Sequence, residues 1–188
     1  SWTEKQKKIE SGNEVKMEVS QKTENRVRPQ ALMKNKMSMS FDAISVNEAF
    51  ARIAVAAFIA PLNPTIEEIS DIKTAVSEAV TNAIIHGYDE EFLREKPESI
   101  EKPVYLRCML EEDVLLVEVQ DQGKGIENID KAMEPLFTTK PEMDRSGMGF
   151  AFMEAFMDDL EVISSPWHGT LIRMKKKIGI TPWIRQEE

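Results

Sequence analysis

The chain has 188 residues, 41% hydrophobic and 30% charged, a balance that suits one globular domain and excludes a disordered polyelectrolyte. A formal charge of −9 argues against a non-specific nucleic-acid binder, which grips phosphates with clustered Lys and Arg. The single cysteine, Cys108, excludes an internal disulfide and a multi-cysteine zinc cluster, and suits a reducing compartment.

Residues 1–32 stand apart. Their charges are dense, their apolar residues scattered, and no period is sustained, so they bury too little to offset the entropy of ordering. They are expected to be a disordered or non-native extension, with the working domain at 33–177 and a tail at 178–188. The domain opens on an extended piece, Lys36–Ala43, in which Met37, Met39 and Phe41 alternate. A first helix spans Val46–Ile59, with Ser45 as N-cap and Glu48 three residues on. A second begins near Asn63-Pro64-Thr65 and runs to His86, where Gly87 ends it. Thr65 and Glu68 have capping-box spacing, and Ile69, Ile72, Val76, Ala79, Val80 and Ala83 form its apolar stripe.

The charge-rich stretch Asp89–Pro103 reads as a solvated connection with room for a short helix. Two strands follow, Val104–Leu110 and Val114–Val119, turning at Glu112-Asp113, with Cys108 as a buried, inert thiol. Beyond a glycine turn and a long loop, a third helix occupies about Met148–Asp158. A last hairpin pairs Leu160–Ser164 with Thr170–Lys176. The pattern predicts an α+β fold, a two-layer sandwich with helices on one face of a mixed, mainly antiparallel sheet. No run approaches the roughly 18–20 apolar residues of a membrane span, and no basic-then-apolar leader is visible, so a cytoplasmic protein is expected.

Four elements carry candidate chemistry. Glu78 and Asn82 lie four apart on the second helix and project from one side at the edge of its apolar stripe. Such a pair is often plain surface. At a pocket edge the carboxylate can act as a base and the amide oxygen can ligate a hard Mg²⁺ ion. Asp121-Gln122-Gly123-Lys124-Gly125 follows a strand, where it is either a strand-ending turn or a site of close approach to a flat ligand. The aspartate can accept from an exocyclic amine such as that of adenine. A third glycine and a following helix are missing for a dinucleotide fingerprint, and alternating oxygen ligands are missing for a calcium loop.

Arg145-Ser146-Gly147-Met148-Gly149 opens the third helix, whose N–H groups suit phosphate, with Lys140 as further countercharge. No Gly-Lys-Ser/Thr of a Walker loop occurs. Gly169-Thr170 begins the last strand, and Thr138, Thr139 and Lys140 lie in a loop that is a candidate lid. Arg52, one charge on an otherwise largely apolar stretch of the first helix, is either a partner contact or a snorkelling surface residue.

The order Glu-x-x-x-Asn, Asp-x-Gly-x-Gly, Gly-x-Gly, Gly-Thr resembles the ATPase superfamily shared by DNA gyrase, Hsp90, histidine kinases and MutL. Two longer stretches, NEAFARIAVAAFIAPLNPTIEEISDIKTAVSEAVTNAIIHGY and PLFTTKPEMDRSGMGFAFMEAFMDDLEV, resemble the anti-sigma F factor family of spore-forming bacteria, over about Met33 to Lys176. The resemblance implies a Bergerat-type fold that binds ATP or ADP with Mg²⁺ under a lid. It implies Glu78 as general base and Asn82 as Mg²⁺ ligand. Asp121 would contact adenine, with Gly123 and Gly125 admitting the base and Thr170 closing its side. Thr138, Thr139, Lys140, Arg145, Gly147, Met148 and Gly149 would surround the phosphates. The implied activity is a serine/threonine kinase acting on an anti-anti-sigma protein, and an anti-sigma factor holding the sporulation sigma F factor when ATP-bound. A homodimer is implied, with no direct nucleic acid and no membrane.

Two rivals stay open. A histidine-kinase catalytic domain would be expected to bring a phosphoaccepting hairpin, yet the histidines of this sequence are His86 and His168 and no such hairpin is visible upstream in it. An ATP-gated binding module would hold a sigma factor without transferring phosphate.

Overall fold

The computed structural model describes residues 34–98, 101–134 and 149–179. In chain order these form β1 (Lys34–Asp42), α1 (Val46–Ile59), α2 (Ile66–Asn82), α3 (Glu90–Glu95), β2 (Pro103–Glu111), β3 (Val114–Asp121), α4 (Ile129–Ala132), α5 (Gly149–Phe156), β4 (Asp159–Ser164) and β5 (Thr170–Lys177). The strands make one sheet in the order β1-β2-β3-β5-β4. Every neighbouring pair is antiparallel, so the parallel component expected of a mixed sheet is absent among the described residues.

Strand periodicity sets the layers. Val104, Leu106, Cys108 and Leu110 of β2, Leu115, Val117 and Val119 of β3, and Ile172 and Met174 of β5 alternate onto one buried face. Against it lie Ala51, Val55 and Ile59 of α1 and Ile72, Ala75, Val76, Ala79 and Val80 of α2, the small residues letting the helices seat closely. Met153 of α5 completes that layer. The other sheet face carries a polar ladder in which Glu118 accepts from Arg107 and Arg173, each at 2.9 Å, and Arg173 donates to Glu161 at 2.6 Å.

Capping differs between the two long helices. Thr65 and Glu68 form the expected box on α2, Thr65 Oγ1 accepting from the Glu68 N–H at 3.1 Å and Glu68 Oε2 from the Thr65 N–H at 2.7 Å. Ser45 makes no such cap, because its backbone is already helical (φ −57, ψ −32). Glu48 turns instead to the neighbouring helix, where Ser77 donates to it, and stands 3.7 Å from Arg52.

Residues Ala83–Gly87 leave α2 as a single π turn, which widens the helix and takes His86 out of the straight row of Glu78 and Asn82. Gly87 does not end the helix through left-handed backbone, since it is not among the positive-φ glycines. The stretch after it is anchored rather than merely solvated. Asp89 caps α3 by accepting from the Phe92 N–H at 3.0 Å, and buried Phe92 meets the Tyr88 ring edge-on at 5.1 Å. The packed chain continues past β5, where Ile178 is buried and the Gly179 N–H donates to Glu68 at 2.6 Å.

Ile72 is fully buried at the centre of α2, whereas Ile66 at its start is 87% exposed. Ile72→Ala is expected to lower the unfolding free energy by about 2–5 kcal/mol. Ile66→Ala should change it by no more than about 0.5 kcal/mol in the same urea titration.

Candidate functional site

Asp121 ends β3 on the face that carries Leu115, Val117 and Val119, so the strand's period of two turns a carboxylate into the core. It pairs in register with Val104 on β2 and Thr170 on β5, and is 3% exposed. Burial pushes its carboxyl up to about 6, although backbone hydrogen bonds from Gly123 and Thr170 favour the charged form. The Gly123 bond measures 2.8 Å, N–H to Oδ1.

Glycines make the room. A Cβ on Gly87 would meet the Asp121 carboxylate at 2.9 Å, one on Gly123 the Gly87 carbonyl at 2.0 Å, and one on Gly169 the Asp121 carbonyl at 2.1 Å. Gly125, with φ +71, similarly presses its α-carbon toward the Ser165 carbonyl. Around this knot the Tyr88 hydroxyl donates to the Pro103 carbonyl at 2.6 Å and accepts the Gln122 N–H at 2.8 Å. Burial pushes that phenol up to about 12, so it stays protonated. Ser164 donates to the Gly169 carbonyl at 2.8 Å, accepts the Ile126 N–H at 2.9 Å and stands 2.8 Å from the Thr170 hydroxyl.

Beside the knot opens a cavity of about 460 Å³, within the range of small-molecule sites. α2 supplies Glu78, Thr81 and Asn82, the glycine turn supplies Lys124, Gly125 and Ile126, and α5 supplies Gly149, Phe150 and Met153. The Glu78 carboxylate lies against the start of α5, where a Cβ on Gly149 would be 3.1 Å from its Oε2. Lys124 is tied to Asp89 at 2.6 Å and Glu91 at 2.9 Å. Burial opposes its charge, but the two carboxylates outweigh that and hold the ammonium above its usual value. Four glutamates on the wall, Glu78, Glu91, Glu127 and Glu134, face two lysines, Lys124 and Lys131.

Of the residues singled out from sequence, Glu78, Asn82, Gly125 and Gly149 share the cavity wall. Asp121, Gly123 and Thr170 pack behind it, joined to it through Gly87 and Ser164. Thr138, Thr139, Lys140, Arg145, Gly147 and Met148 lie outside the described residues. Arg52 is not on the wall. It sits on α1, its side chain 42% exposed, with Nε buried and unpartnered, among the exposed apolar residues Val46, Phe50 and Ile53. No three His, Cys, Asp or Glu side chains gather as a metal cluster among the described residues, and no described helix is long and apolar enough to cross a membrane.

The family described as histidine kinase-like ATPase domain matches residues 41–176. The anti-sigma F factors of Oceanobacillus iheyensis, Bacillus cytotoxicus and Bacillus subtilis are 52%, 55% and 53% identical to this chain over 147 residues, 78% of it and 95% of each relative. The chain belongs to the anti-sigma F factor family. A solved structure of the RsbU and RsbW domains of a Mycobacterium tuberculosis protein shares the fold, with a TM-score of 0.53 at 18% identity over 77% of this chain and 32% of that one.

In this anti-sigma F family member, sequence reasoning passed over Lys124, Tyr88, Trp167 and the Asp89–Phe92 anchor. Lys124 sat in view inside the glycine motif, and its acidic partners could have been sought in the charge-rich stretch that follows α2. Trp167 gave no periodic signal, because it lies in a hairpin turn.

Asp121 yields a pH test. Its folded pKa of about 6 lies above the ordinary 3.8, so the protonated form is the better folded one. That contribution is fully present below about pH 4 and is lost as pH rises through about 6, amounting to about 3 kcal/mol. Unfolding free energy measured from about pH 4 to 7 should therefore fall in the parent protein relative to Asp121→Asn, and parallel curves would sink the assignment.

Proposed function

We propose that the chain binds ATP with Mg²⁺ in this cavity, holds sigma F in the ATP-bound state, and transfers the γ-phosphoryl group to a serine of an anti-anti-sigma protein. The observation that carries this is the meeting of Glu78 and Asn82 with the start of α5 and the glycine turn on one wall, in a chain 52–55% identical to anti-sigma F factors. A sigma-factor partner also argues for the cytoplasm.

Each residue has a chemical part. The Asp121 carboxylate accepts the exocyclic amine of adenine; it stands behind the wall at Gly87, so the narrow amino edge of the base is the part of ATP suited to reach it. Gly123 and Gly125 keep side chains out of the way, and Thr170 closes the adenine side. Gly149 begins a helix whose N–H groups favour phosphate, with Thr138, Thr139, Lys140, Arg145, Gly147 and Met148 completing the phosphate cradle. Asn82 offers a single amide oxygen, and the donor set fits Mg²⁺, which commonly keeps few protein ligands and takes the rest from phosphates and water. Bound there, Mg²⁺ supplies charge that offsets the triphosphate, a need sharpened by the acidic wall.

For transfer, the serine hydroxyl attacks the γ-phosphorus as the bond to the bridging oxygen breaks and ADP leaves. Glu78 takes the hydroxyl proton. Its closeness to Gly149, the residue assigned to the phosphate end, supports that role. Arg52, set among Val46, Phe50 and Ile53, belongs to the partner surface, which serves sigma F, the anti-anti-sigma protein or a second copy of the chain. The rival histidine-kinase reading finds no support in His168, whose Nδ1 lies 2.8 Å from the Pro166 carbonyl in a turn.

Glu78→Ala should bind ATP within a few-fold of the parent while losing about 10²–10⁴ in transfer rate, read as labelled phosphoserine on the anti-anti-sigma protein. Unchanged transfer removes the base role, and phosphohistidine on the chain supports the rival. Arg52→Glu should reduce capture of sigma F in the presence of ATP by at least about tenfold with ATP affinity unaltered. Equal capture by parent and variant takes Arg52 out of the interface.

A further inference from the structure

Trp167 sits in the β4–β5 turn with φ +65, a left-handed conformation that is unusual for a bulky side chain. Its turn is held from both sides. The Trp167 N–H donates to the Lys124 carbonyl at 2.6 Å, and the His168 N–H to the Ser165 carbonyl at 3.1 Å. Gly125 packs against the Ser165 carbonyl so closely that no side chain would fit between them. Glycine meets such a backbone without strain, yet the chain places its largest side chain there. The indole is not buried to compensate, being 38% exposed, and its residue lines the cavity together with Pro166. Unfavourable backbone held by surrounding contacts, at the rim of a cavity, is where strain accompanies ligand binding.

The position also selects the part of the ligand. Trp167 is bonded to the glycine turn that starts at Asp121, whereas Gly149 and Glu78, assigned above to the phosphate end, come from α5 and α2. Resting on the nucleotide-site reading above, we propose that Trp167 is a base-contacting, affinity-determining residue whose indole packs on the adenine of the bound nucleotide. Adenine presents a flat apolar surface once its amino edge is turned to Asp121, and an aromatic side chain is the group best suited to cover it. Phe150, the other aromatic residue of the wall, is buried on α5 at the Gly149 side.

The test uses the full chain with Trp2→Phe and Trp183→Phe, leaving Trp167 as the sole indole of the three. ATP with Mg²⁺ is titrated while heat and indole emission are followed together. The emission of Trp167 should change and saturate with the heat. Trp167→Ala should weaken ATP binding roughly tenfold, with Trp167→Phe retaining most of the affinity. Heat that saturates without any change in emission, or Trp167→Ala binding within about twofold of its parent, overturns the role of Trp167 and leaves the nucleotide site standing. Absence of ATP binding by the parent protein overturns both.

Discussion

A carboxylate placed where a strand would ordinarily put a core side chain governs this end of the molecule. Asp121 follows Leu115, Val117 and Val119 on the inward face of β3, and burial raises its pKa to about 6. Such a group is tolerated only if its hydrogen bonds are met and its neighbours yield space. Both conditions explain nearby residues that look unremarkable singly. Gly87, Gly123 and Gly169 each bring backbone to within contact of Asp121 or of one another, and a methyl group at any of them would collide. Tyr88 and Ser164 then satisfy backbone groups that this crowding turns away from the sheet ladder.

The same crowding aligns the cavity. Because the glycine turn is pinned to Gly87, Lys124 and Gly125 line the same cavity as Glu78 and Asn82 of α2. The Lys124 N–H donates to the Gly87 carbonyl at 2.8 Å, and its ammonium reaches back to Asp89 and Glu91. The π turn at Ala83–Gly87 joins helix to knot, adding the residue that brings Gly87 against the carboxylate. Helix α1 stands apart from this chemistry but is not detached from it. Arg52 approaches Glu48, which accepts from Ser77, the residue before Glu78. The exposed face of α1 and the cavity-facing side of α2 thus share one packed helix pair, and a partner seated on α1 would press on the element that carries Glu78.

Much of the fold was legible because periodicity is a local property. The apolar spacing of Val46–Ile59 matches α1 residue for residue, and the Thr65–Glu68 box lies where the spacing put it. Ser45 departs from the expected cap because its backbone is already helical, which a capping motif in the sequence does not encode. The charged stretch after Asp89 holds the short helix that its length allows, but its anchoring was not legible, because one buried Phe92 among many charges leaves no periodic trace. The alternating apolar strands announced a sheet, but their pairing order depends on contacts between segments far apart in the chain.

By itself, then, the sequence determined most of the elements, though not the short α4, together with the two-layer class, the order of the four motifs and, through the longer matching stretches, the family, since these reside in spacing and composition along the chain. Tertiary structure alone decided that Asp121 is a desolvated core residue rather than a turn residue, that Gly87 is small to admit it, and that Trp167 joins the cavity wall. The reason is common to all three. Desolvation and steric exclusion depend on which distant segments meet, and Gly87, Asp121, Gly125 and Trp167 meet only once β3, β5 and the end of α2 are packed together.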